Sequence, residues 1–289
     1  MLTQKEIRRR IEAVRNTQKL TRSMKLVAAA KLRGAQQRAV EKRVYTSALY
    51  DIAVRVSRRL GREAPVLWRR PQRLDCVDLI VMTSDRGLCG GFNENLLRDV
   101  EEGALQHIMH NISVKVFVVG KQGAKWLRGR GYDVEEVPTE GGLDFQVKWL
   151  METMSKRCAS GESAGCNIAF NRFVNASHQR PTFWNLLPLS YRGYDVERNI
   201  EYLYEPTREE ALEALAGQLL DSALRQAFLE SEASLHAARM TAMDAATKNA
   251  DDMVAHLTSV YNRVRQEAIT SELMDIVNGA EALRSAQRS

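Results

Sequence analysis

Proline is absent from both ends of this 289-residue sequence. All six prolines lie between residues 65 and 206, so the residue that most strongly interrupts helices is confined to the middle of the chain. Thr207–Leu283 contains only Gly217 and Gly279 as glycines and is rich in Ala, Leu, Glu, Gln and Met, which favour helix. We therefore predict a long helix at each end of the chain.

Cysteine spacing and hydropathy argue against several other classes of protein. The four cysteines form no Cys-x-x-Cys pair, so a zinc site or a thioredoxin-like motif is not expected. The loop between Cys158 and Cys166 allows a disulfide, but a chain of this size does not need one, and we expect reduced thiols. No apolar run reaches the ~18–20 residues of a membrane span, and Met1–Arg10 is too charged for a signal peptide. We therefore expect a soluble, cytosolic protein.

Charge is distributed unevenly along the chain. Met1–Leu60 carries 16 Lys and Arg against 4 Asp and Glu, whereas Thr207–Ser289 carries 8 against 13. This asymmetry favours pairing of the two ends, and it is equally typical of a basic arm that binds an acidic partner. A basic coiled-coil protein that binds nucleic acid is therefore one alternative function, although few aromatic residues accompany the cations.

The two terminal segments carry the pattern of a coiled coil. Thr3 followed by Glu6 predicts a capping box, and Thr207 with two glutamates after it predicts an N-cap. Apolar and small residues then recur at steps of three and four in both segments. Alanines in both segments, with Ala245 among them, allow close approach of the helices. The residues that we assign to the packed seam are Ile11, Val14, Ala28, Ala237, Val254 and Leu257.

The two predicted helices differ in length. At 1.5 Å per residue, Leu2–Leu60 spans about 88 Å and Thr207–Leu283 about 115 Å, so roughly 25 Å of the second helix has no partner within the chain. The apolar rhythm also changes phase between Val264 and Ile269. A helix that keeps apolar residues without an internal partner implies that another chain surrounds it.

The middle of the chain alternates between strand and helix patterns. Buried-strand patterns begin with Val77–Met82, and amphipathic helices follow the first strands. This alternation predicts a parallel, Rossmann-like α/β sheet that is covered on both faces. We assign the coiled coil to residues 1–60 and 207–289, a linker to 61–74 and the α/β domain to 75–206. The predicted strands are Val77–Met82, Val114–Val119, Tyr132–Val137, Asn167–Asn175, Thr182–Pro188 and Asn199–Tyr204.

A glycine-rich loop follows the first predicted strand. Ser84–Asn93 occupies the position where Rossmann-like folds bind phosphate, but it lacks both the GxGxxG and the GxxxxGK[ST] spacing. A nucleotide-binding α/β enzyme is therefore a second alternative. Glycines that permit positive φ and close backbone packing, or a loop that docks on another protein, explain the same residues. We find no catalytic residue, no metal site and no cofactor site in the sequence.

Three stretches together resemble the γ subunits of F-type ATP synthases. They are NTQKLTRSMKLVAAAKL (Asn16–Leu32), TSDRGLCGGFN (Thr83–Asn93) and ARMTAMDAATKNADDMV with YNRVRQEAITSELMDIVNGAEAL (within Ala238–Leu283). The resemblance covers the whole length in order, and the C-terminal block is the most specific part. It implies a rotor whose terminal helices form an antiparallel coiled coil inside a hexamer of α and β subunits, with no active site of its own.

The resemblance also implies contacts for particular residues. Its partners are the α and β subunits, the ε subunit and the c-subunit ring, and neither nucleic acid nor a small-molecule substrate is expected. The α/β domain is the foot that joins ε and the c ring, and Tyr202 and Glu205 match the part that faces them. Arg86 and Cys89 match a loop placed near acidic loops of β. The residues that match the contact with β-subunit catch loops are Arg265, Gln266, Thr270 and Glu272.

Two features qualify the resemblance. Chloroplast members carry a regulatory dithiol after the LLPL-like strand, but Leu186–Arg198 is short and holds no cysteine, so redox control is not implied. The sequence begins at Met1 directly in the first helix, as bacterial members do. We therefore expect a peripheral protein on the cytoplasmic side of the bacterial inner membrane.

Overall fold

The computed structural model describes residues 3–57, 66–69, 75–109, 112–189, 203–205 and 207–286. The helices are α1 Gln4–Ser57, α2 Phe92–Met109, α3 Lys121–Arg128, α4 Gly142–Ser160 and α5 Arg208–Ala286, and Val66–Trp68 forms a short 3-10 helix. The strands are β1 Cys76–Met82, β2 Ser113–Val119, β3 Val134–Glu136, β4 Cys166–Phe173 and β5 Gln179–Leu187. Long terminal helices and a central sheet confirm the predicted fold class.

Both long helices begin with the caps that the sequence predicts. The Thr3 N–H donates to Glu6 Oε2 at 2.9 Å, and Thr3 Oγ1 accepts from the Glu6 N–H at 3.3 Å, which completes the capping box. Thr207 Oγ1 accepts from the Glu210 N–H at 3.3 Å. Glu209 and Glu210 lie in the first turn of α5, where negative charge is favourable. These caps fix where the two helices start.

The chain divides into two compact units, one made of residues 1–27 with 242–289 and the other of residues 28–241. The division falls within both long helices, so it does not test the domain boundaries assigned from the sequence. Of the predicted linker, residues 61–65 and 70–74 lie outside the described residues. The assignment of residues 1–60, 61–74, 75–206 and 207–289 therefore stays a prediction.

The first unit is an antiparallel pair formed by the start of α1 and the end of α5. The hydroxyls of Thr21 and Thr247 lie 2.8 Å apart. The Gln18 side-chain amide donates to the carboxylate of Asp251, one turn earlier on α1 and one turn later on α5. Extending this register places Gln4, the first residue of α1, near the turn that contains Arg265. The end of α5 thus runs past the start of α1.

The second unit contains a five-stranded sheet with the order β3-β2-β1-β4-β5. Strands β1 to β4 are parallel where they pair, and β5 pairs with β4 in the antiparallel direction. Alternate residues of β1 face opposite sides of the sheet. Ile80 and Met82 pack in the cluster that contains α4 and residues 216–227 of α5, whereas Leu79 and Val81 pack in the cluster that contains α2 and α3.

The predicted strands match the structure unevenly. Four of them agree with β1, β2, β4 and β5 to within a few residues at each end. The predicted strand Tyr132–Val137 shortens to the three residues of β3, which pairs with β2 alone at the edge of the sheet. Of the predicted strand Asn199–Tyr204, residues 199–202 lie outside the described residues, and Leu203 and Tyr204 are not in a strand.

Within the described ranges, no helical segment combines the length and the apolar content that crossing a membrane requires.

Candidate interaction surfaces

The N-terminus of α3 lies at the carboxyl end of the sheet, where a Rossmann-like enzyme would bind phosphate. Such binding needs free backbone N–H groups. The first three N–H groups of α3 are already bonded within the chain. Lys121 donates to Asp85 Oδ1 at 3.3 Å, Gln122 to the Ser84 carbonyl at 3.0 Å, and Gly123 to Thr83 Oγ1 at 3.0 Å.

The cavity beside this helix start is also unsuited to an anion. It has a volume of about 330 Å³, and three carboxylates, Asp85, Glu136 and Glu140, line it together with one cation, Lys121. A phosphate placed there would meet more negative than positive charge. The geometry therefore argues against the nucleotide-binding alternative.

Glycines after β2 serve close packing. Gly120 has φ of 96°, and a Cβ there would lie 2.4 Å from the Thr83 carbonyl oxygen. A Cβ on Gly123 would lie 2.6 Å from Thr83 Oγ1. These residues are glycine because the chain after β1 crosses so close to the start of α3. Close backbone packing therefore accounts for this pair of glycines.

The loop between β1 and α2 has a fixed base and an exposed tip. Asn93 Oδ1 accepts from the Ser84 N–H at 3.0 Å, and Asn93 Nδ2 donates to Cys89 Sγ at 3.5 Å. Arg86 and Leu88 at the tip are exposed, and Leu88 has φ of 62°, a left-handed conformation that is strained for leucine. An exposed, strained apolar residue on an anchored loop is typical of a docking site.

Cys89, which the resemblance assigns to a β-subunit contact, is a buried residue of this loop, and its contact stays a prediction. Its side chain is only 3% exposed and packs against Phe92, Leu235 and Ala238. Cys89 therefore holds the loop against α2 and α5, and in the isolated chain the exposed side chains of the loop include those of Arg86 and Leu88. Leu88 could not be identified from the sequence, because nothing in the sequence of a glycine-rich loop marks which residue takes positive φ.

The C-terminal part of α5 carries the four residues that resemble β-subunit contacts. Arg265, Gln266, Thr270 and Glu272 are all exposed. The Thr270 hydroxyl donates to the Gln266 carbonyl at 2.9 Å, within the helix. Large apolar side chains on the same segment are also exposed, each by 45% or more. They are Ile269, Leu273, Met274, Ile276 and Val277.

This exposed apolar segment begins where the apolar rhythm changes phase. Val264 is half-buried, whereas Ile269 is 45% exposed. Exposed apolar patches on a helix mark surfaces that another protein covers. We infer that the segment needs a partner chain, in agreement with the length argument from the sequence.

The residues expected to face the ε subunit and the c ring are described only in part. Glu205 is exposed, and Leu203 beside it is 89% exposed. The Arg208 guanidinium lies 5.8 Å from the Tyr204 ring centroid. Tyr202 lies outside the described residues, so its assignment stays a prediction.

The residues assigned to the helix seam differ in burial. Ala28 and Ala237 are 2% and 0% exposed. Ala237 packs in a cluster with Leu32, Ala35 and Phe173, where small side chains let the helices approach. Ala245, which the sequence also suggested for close approach, is exposed and does not lie on the seam. In the first unit Ile11, Val14, Val254 and Leu257 are half-buried.

Ion pairs connect the basic helix α1 with the acidic helix α5. Lys25 Nζ lies 2.6 Å from Asp244 Oδ1, and Arg38 Nη2 lies 3.0 Å from Glu232 Oε2. Part of the positive charge of α1 is therefore paired with negative charge of α5 within the chain. This internal pairing weakens the nucleic-acid alternative. The exposed cations Arg8, Arg9 and Arg10 at the start of α1 remain available to an acidic partner.

A third pair was not anticipated. Arg43 Nη2 lies 2.5 Å from Glu230 Oε1, and the Glu230 side chain is completely buried. Glutamates on a long polar helix usually face solvent, so no feature of the sequence indicates that this one lies in the core.

The four cysteines are free thiols. Burial, followed by the nearby Asp78 carboxylate, raises the pKa of Cys158 to about 11. The same two causes raise the pKa of Cys166 well above its ordinary value. Both thiols are therefore protonated and unreactive near neutral pH, as the expectation of reduced cysteines requires.

Comparison with protein families gives a match over nearly the whole chain. The family model described as ATP synthase matches residues 3–283. A protein of Anaeromyxobacter dehalogenans named ATP synthase gamma chain is 38% identical over 289 residues, which are 97% of this chain and 99% of that protein. The protein of the same name from Geotalea daltonii is 37% identical over 288 residues, 98% of this chain and all of its own length.

Solved structures share the fold. One chain in the mitochondrial ATP synthase of Euglena gracilis, in the assembly of OSCP, F1 and c-ring, superposes with a TM-score of 0.71. It is 20% identical, and the match covers 99% of this chain and 96% of that chain. A chain in the central stalk and c-ring structure of Tetrahymena thermophila ATP synthase gives a TM-score of 0.58 at 23% identity, covering 78% of this chain and 99% of that chain.

Proposed function

The chain belongs to the ATP synthase γ-chain family, and on this premise we propose that the β1–α2 loop and the end of α5 are its contacts with the β subunits. As a member it is the central rotor stalk subunit of the proton-translocating ATP synthase. It is a non-catalytic subunit and transmits rotation of the c ring to the β subunits, where ATP is made or hydrolysed. Its partners are the α and β subunits, the ε subunit and the c ring.

The observation that carries this proposal is the exposed apolar surface at the end of α5. Ile269, Leu273 and Ile276 are 45%, 58% and 68% exposed on a segment that runs past the start of α1. The cavity of a surrounding hexamer would cover them. Arg265 and Glu272, exposed on the same segment, supply polar groups for partner loops.

Asymmetry explains how such contacts act without chemistry. A single helix end inside a ring of repeated subunits meets each catalytic subunit differently at any moment. A contact that forms with one subunit conformation and not with another shifts the balance between the two. The same coupling acts in both directions, so nucleotide binding at β biases the position of the stalk.

The β1–α2 loop supplies a second contact. Arg86 and Leu88 present a cation and an apolar side chain beside each other on an anchored base. A partner loop that carries carboxylates and a small apolar pocket fits this pair. Glu205, exposed near the start of α5, is proposed to face the ε subunit or the c ring.

The protein is a peripheral subunit. We place it on the cytoplasmic side of the bacterial inner membrane, and the support for this placement is the similarity to γ chains of bacteria.

Assembly tests the proposal. Co-expression with the α and β subunits of the same organism is expected to give one γ chain per three αβ pairs by native mass spectrometry. Truncation before Ile269 removes the exposed segment, and we expect this variant to assemble less stably. A full-length chain that never joins the α and β subunits would contradict the proposed function.

A further inference from the structure

One face of α5 binds the backbone at the end of β4 through polar side chains. Glu230 Oε2 accepts from the Phe173 N–H at 3.0 Å. One turn later, Ser234 Oγ donates to the Asn171 carbonyl at 2.8 Å. Two turns beyond that, Thr241 Oγ1 donates to the Ala176 carbonyl at 3.1 Å. We call these three α5 residues, Glu230, Ser234 and Thr241, the polar seam.

Glu230 also joins a third element to the polar seam. Its Oε1 accepts from Arg43 Nε at 2.9 Å and from Arg43 Nη2 at 2.5 Å. Arg43 Nη2 donates in turn to the Phe173 carbonyl at 3.4 Å. One carboxylate therefore connects α1, α5 and the end of β4.

Two of the three residues of the polar seam are completely buried. Glu230 and Ser234 are both 0% exposed, and Asn171 is 2% exposed. The Asn171 side-chain amide donates to the Phe92 carbonyl at 2.9 Å, so the contact continues to the first residue of α2. Burying a charge is costly unless it is paired and hydrogen-bonded, and an apolar residue would pack here at less cost. A buried carboxylate with three donors indicates that a fixed orientation of α5 against the sheet is required, in addition to stability.

Apolar packing alone would not meet that requirement. Leu229, Ala233 and Ala237 hold α5 beside Phe173, but apolar contact has no preferred direction and permits a helix to turn or slide. Hydrogen bonds to backbone atoms need particular distances and angles. Bonds from several turns of α5 therefore fix both its rotation about its own axis and its axial position against the sheet.

We propose that Glu230 and Ser234 are positioning residues that hold the sheet and the paired helices in one rotational register, so that torque applied to the sheet reaches the helices. This proposal rests on the rotor function. It assigns the transmission step to the polar seam, which is internal to the chain and separate from the surfaces that contact other subunits.

The test is the double variant Glu230→Gln with Ser234→Ala in the complete ATP synthase in vesicles. The readout is the number of protons pumped per ATP hydrolysed, compared with the hydrolysis rate after an uncoupler removes the opposing gradient. We expect hydrolysis with uncoupler to stay near the wild-type rate, and pumping per ATP against a gradient to fall by about threefold or more. A residue that only stabilises the fold would lower the hydrolysis rate through loss of complex and leave the number of protons pumped per ATP unchanged.

Glu232→Gln is the matched control. It changes the same residue type two positions along α5 and removes an α1–α5 ion pair, with Arg38, without touching the sheet. We expect this control to pump normally. Normal pumping per ATP by the double variant in an assembled complex would overturn the proposal.

Two further results are distinguishable. If the double variant fails to assemble, Ser234→Ala alone decides, since it removes one hydroxyl and keeps the ion pair, and wild-type pumping per ATP by that variant would overturn the proposal. If the wild-type chain itself does not join the complex, the rotor function fails. That outcome is distinct from an assembled variant that pumps normally per ATP, which overturns only the proposal for the polar seam.

Discussion

Thr83 Oγ1 accepts a hydrogen bond from the Gly123 N–H at 3.0 Å, at the point where a nucleotide-binding sheet would offer that N–H to phosphate. The same hydroxyl donates to the Val119 carbonyl at 2.9 Å. The Gly123 N–H at the start of α3 is thus occupied by a residue of the chain itself and is not free to bind phosphate. A fold that resembles dinucleotide-binding domains here serves as a scaffold.

We therefore predict that the isolated chain does not bind ATP with micromolar affinity and does not hydrolyse it. The reason is that the N–H groups at the start of α3 are occupied and carboxylates line the adjacent cavity. Titration calorimetry with Mg-ATP checks this, with the isolated β subunit as the positive control. Micromolar binding that Gly90→Val abolishes would support the enzyme alternative.

Overpacking the alanine seam is expected to destabilise the protein. Ala237 is 0% exposed, so a tryptophan there has to push α1 and α5 apart, at a cost of about 1–3 kcal/mol in the free energy of unfolding. Ala245→Trp is the control, because that side chain is exposed on the same helix. Denaturant unfolding measures both. Equal stability of the two variants would mean that the seam lies on another face.

Stability is expected to decrease in acid through Glu232. The His236 imidazole, whose Nε2 lies 3.8 Å from Glu232 Oε1, and then a hydrogen bond from Arg38 lower the pKa of Glu232 below its ordinary value of 4.5. A lowered native pKa stabilises the fold above the unfolded value, and this contribution is lost as the pH falls through the native pKa. Glu232→Gln should therefore lower the Tm at pH 7 and lose this effect at an acidic pH below the native pKa of Glu232.

The comparison of interest is the Tm difference between wild type and Glu232→Gln at the two pH values. Protonation of other carboxylates also destabilises both proteins in acid. Taking the difference in Tm between them cancels this shared effect. A difference that stays constant with pH would show that Glu232 does not carry this dependence.

Contacts at the end of α5 are expected to affect coupling and leave the fold intact. Arg265, Thr270 and Glu272 are exposed, so substituting them removes no internal packing. A charge-assisted hydrogen bond contributes roughly 1.5–3 kcal/mol, enough to shift a two-state balance about tenfold. Arg265→Ala and Thr270→Val should lower ATP turnover or ATP-driven proton pumping in vesicles, and Glu272→Ala should do so more weakly.

The control for this series is Glu213→Ala, the same substitution at an exposed glutamate near the start of α5. Circular dichroism of each isolated chain checks that the fold is unchanged. Wild-type turnover and pumping in the three variants would mean that these residues form only a solvated helix end.

Local rules account for much of the fold. The caps at Thr3 and Thr207 and the nearly continuous apolar run of β1 each follow from one short stretch of sequence, and the structure agrees with all three. The phase change after Val264 likewise predicted where α5 becomes exposed. Short-range patterns carry these features because capping, helix interruption and pleat each depend on neighbouring residues.

Long-range contacts account for what the sequence did not predict. Glu230 is buried because Arg43 and the Phe173 N–H, distant in sequence, meet its carboxylate. Cys89 is buried because α5 passes beside the loop. The exposure of Ala245 could not be predicted because alanine at a helical step fits a seam and a surface equally well. At none of these three positions does the residue type itself indicate whether the side chain is buried or exposed.

Rotation of single molecules tests the central claim most directly. The α and β subunits are fixed to a surface in a complex with this chain, and a bead is attached through a cysteine introduced at Ser177, an exposed residue in the turn between β4 and β5. With ATP present, we predict that the bead turns in one direction, in steps, and only fluctuates when ATP is withheld. ATP hydrolysis at a normal rate with a bead that shows no directed rotation would contradict the account.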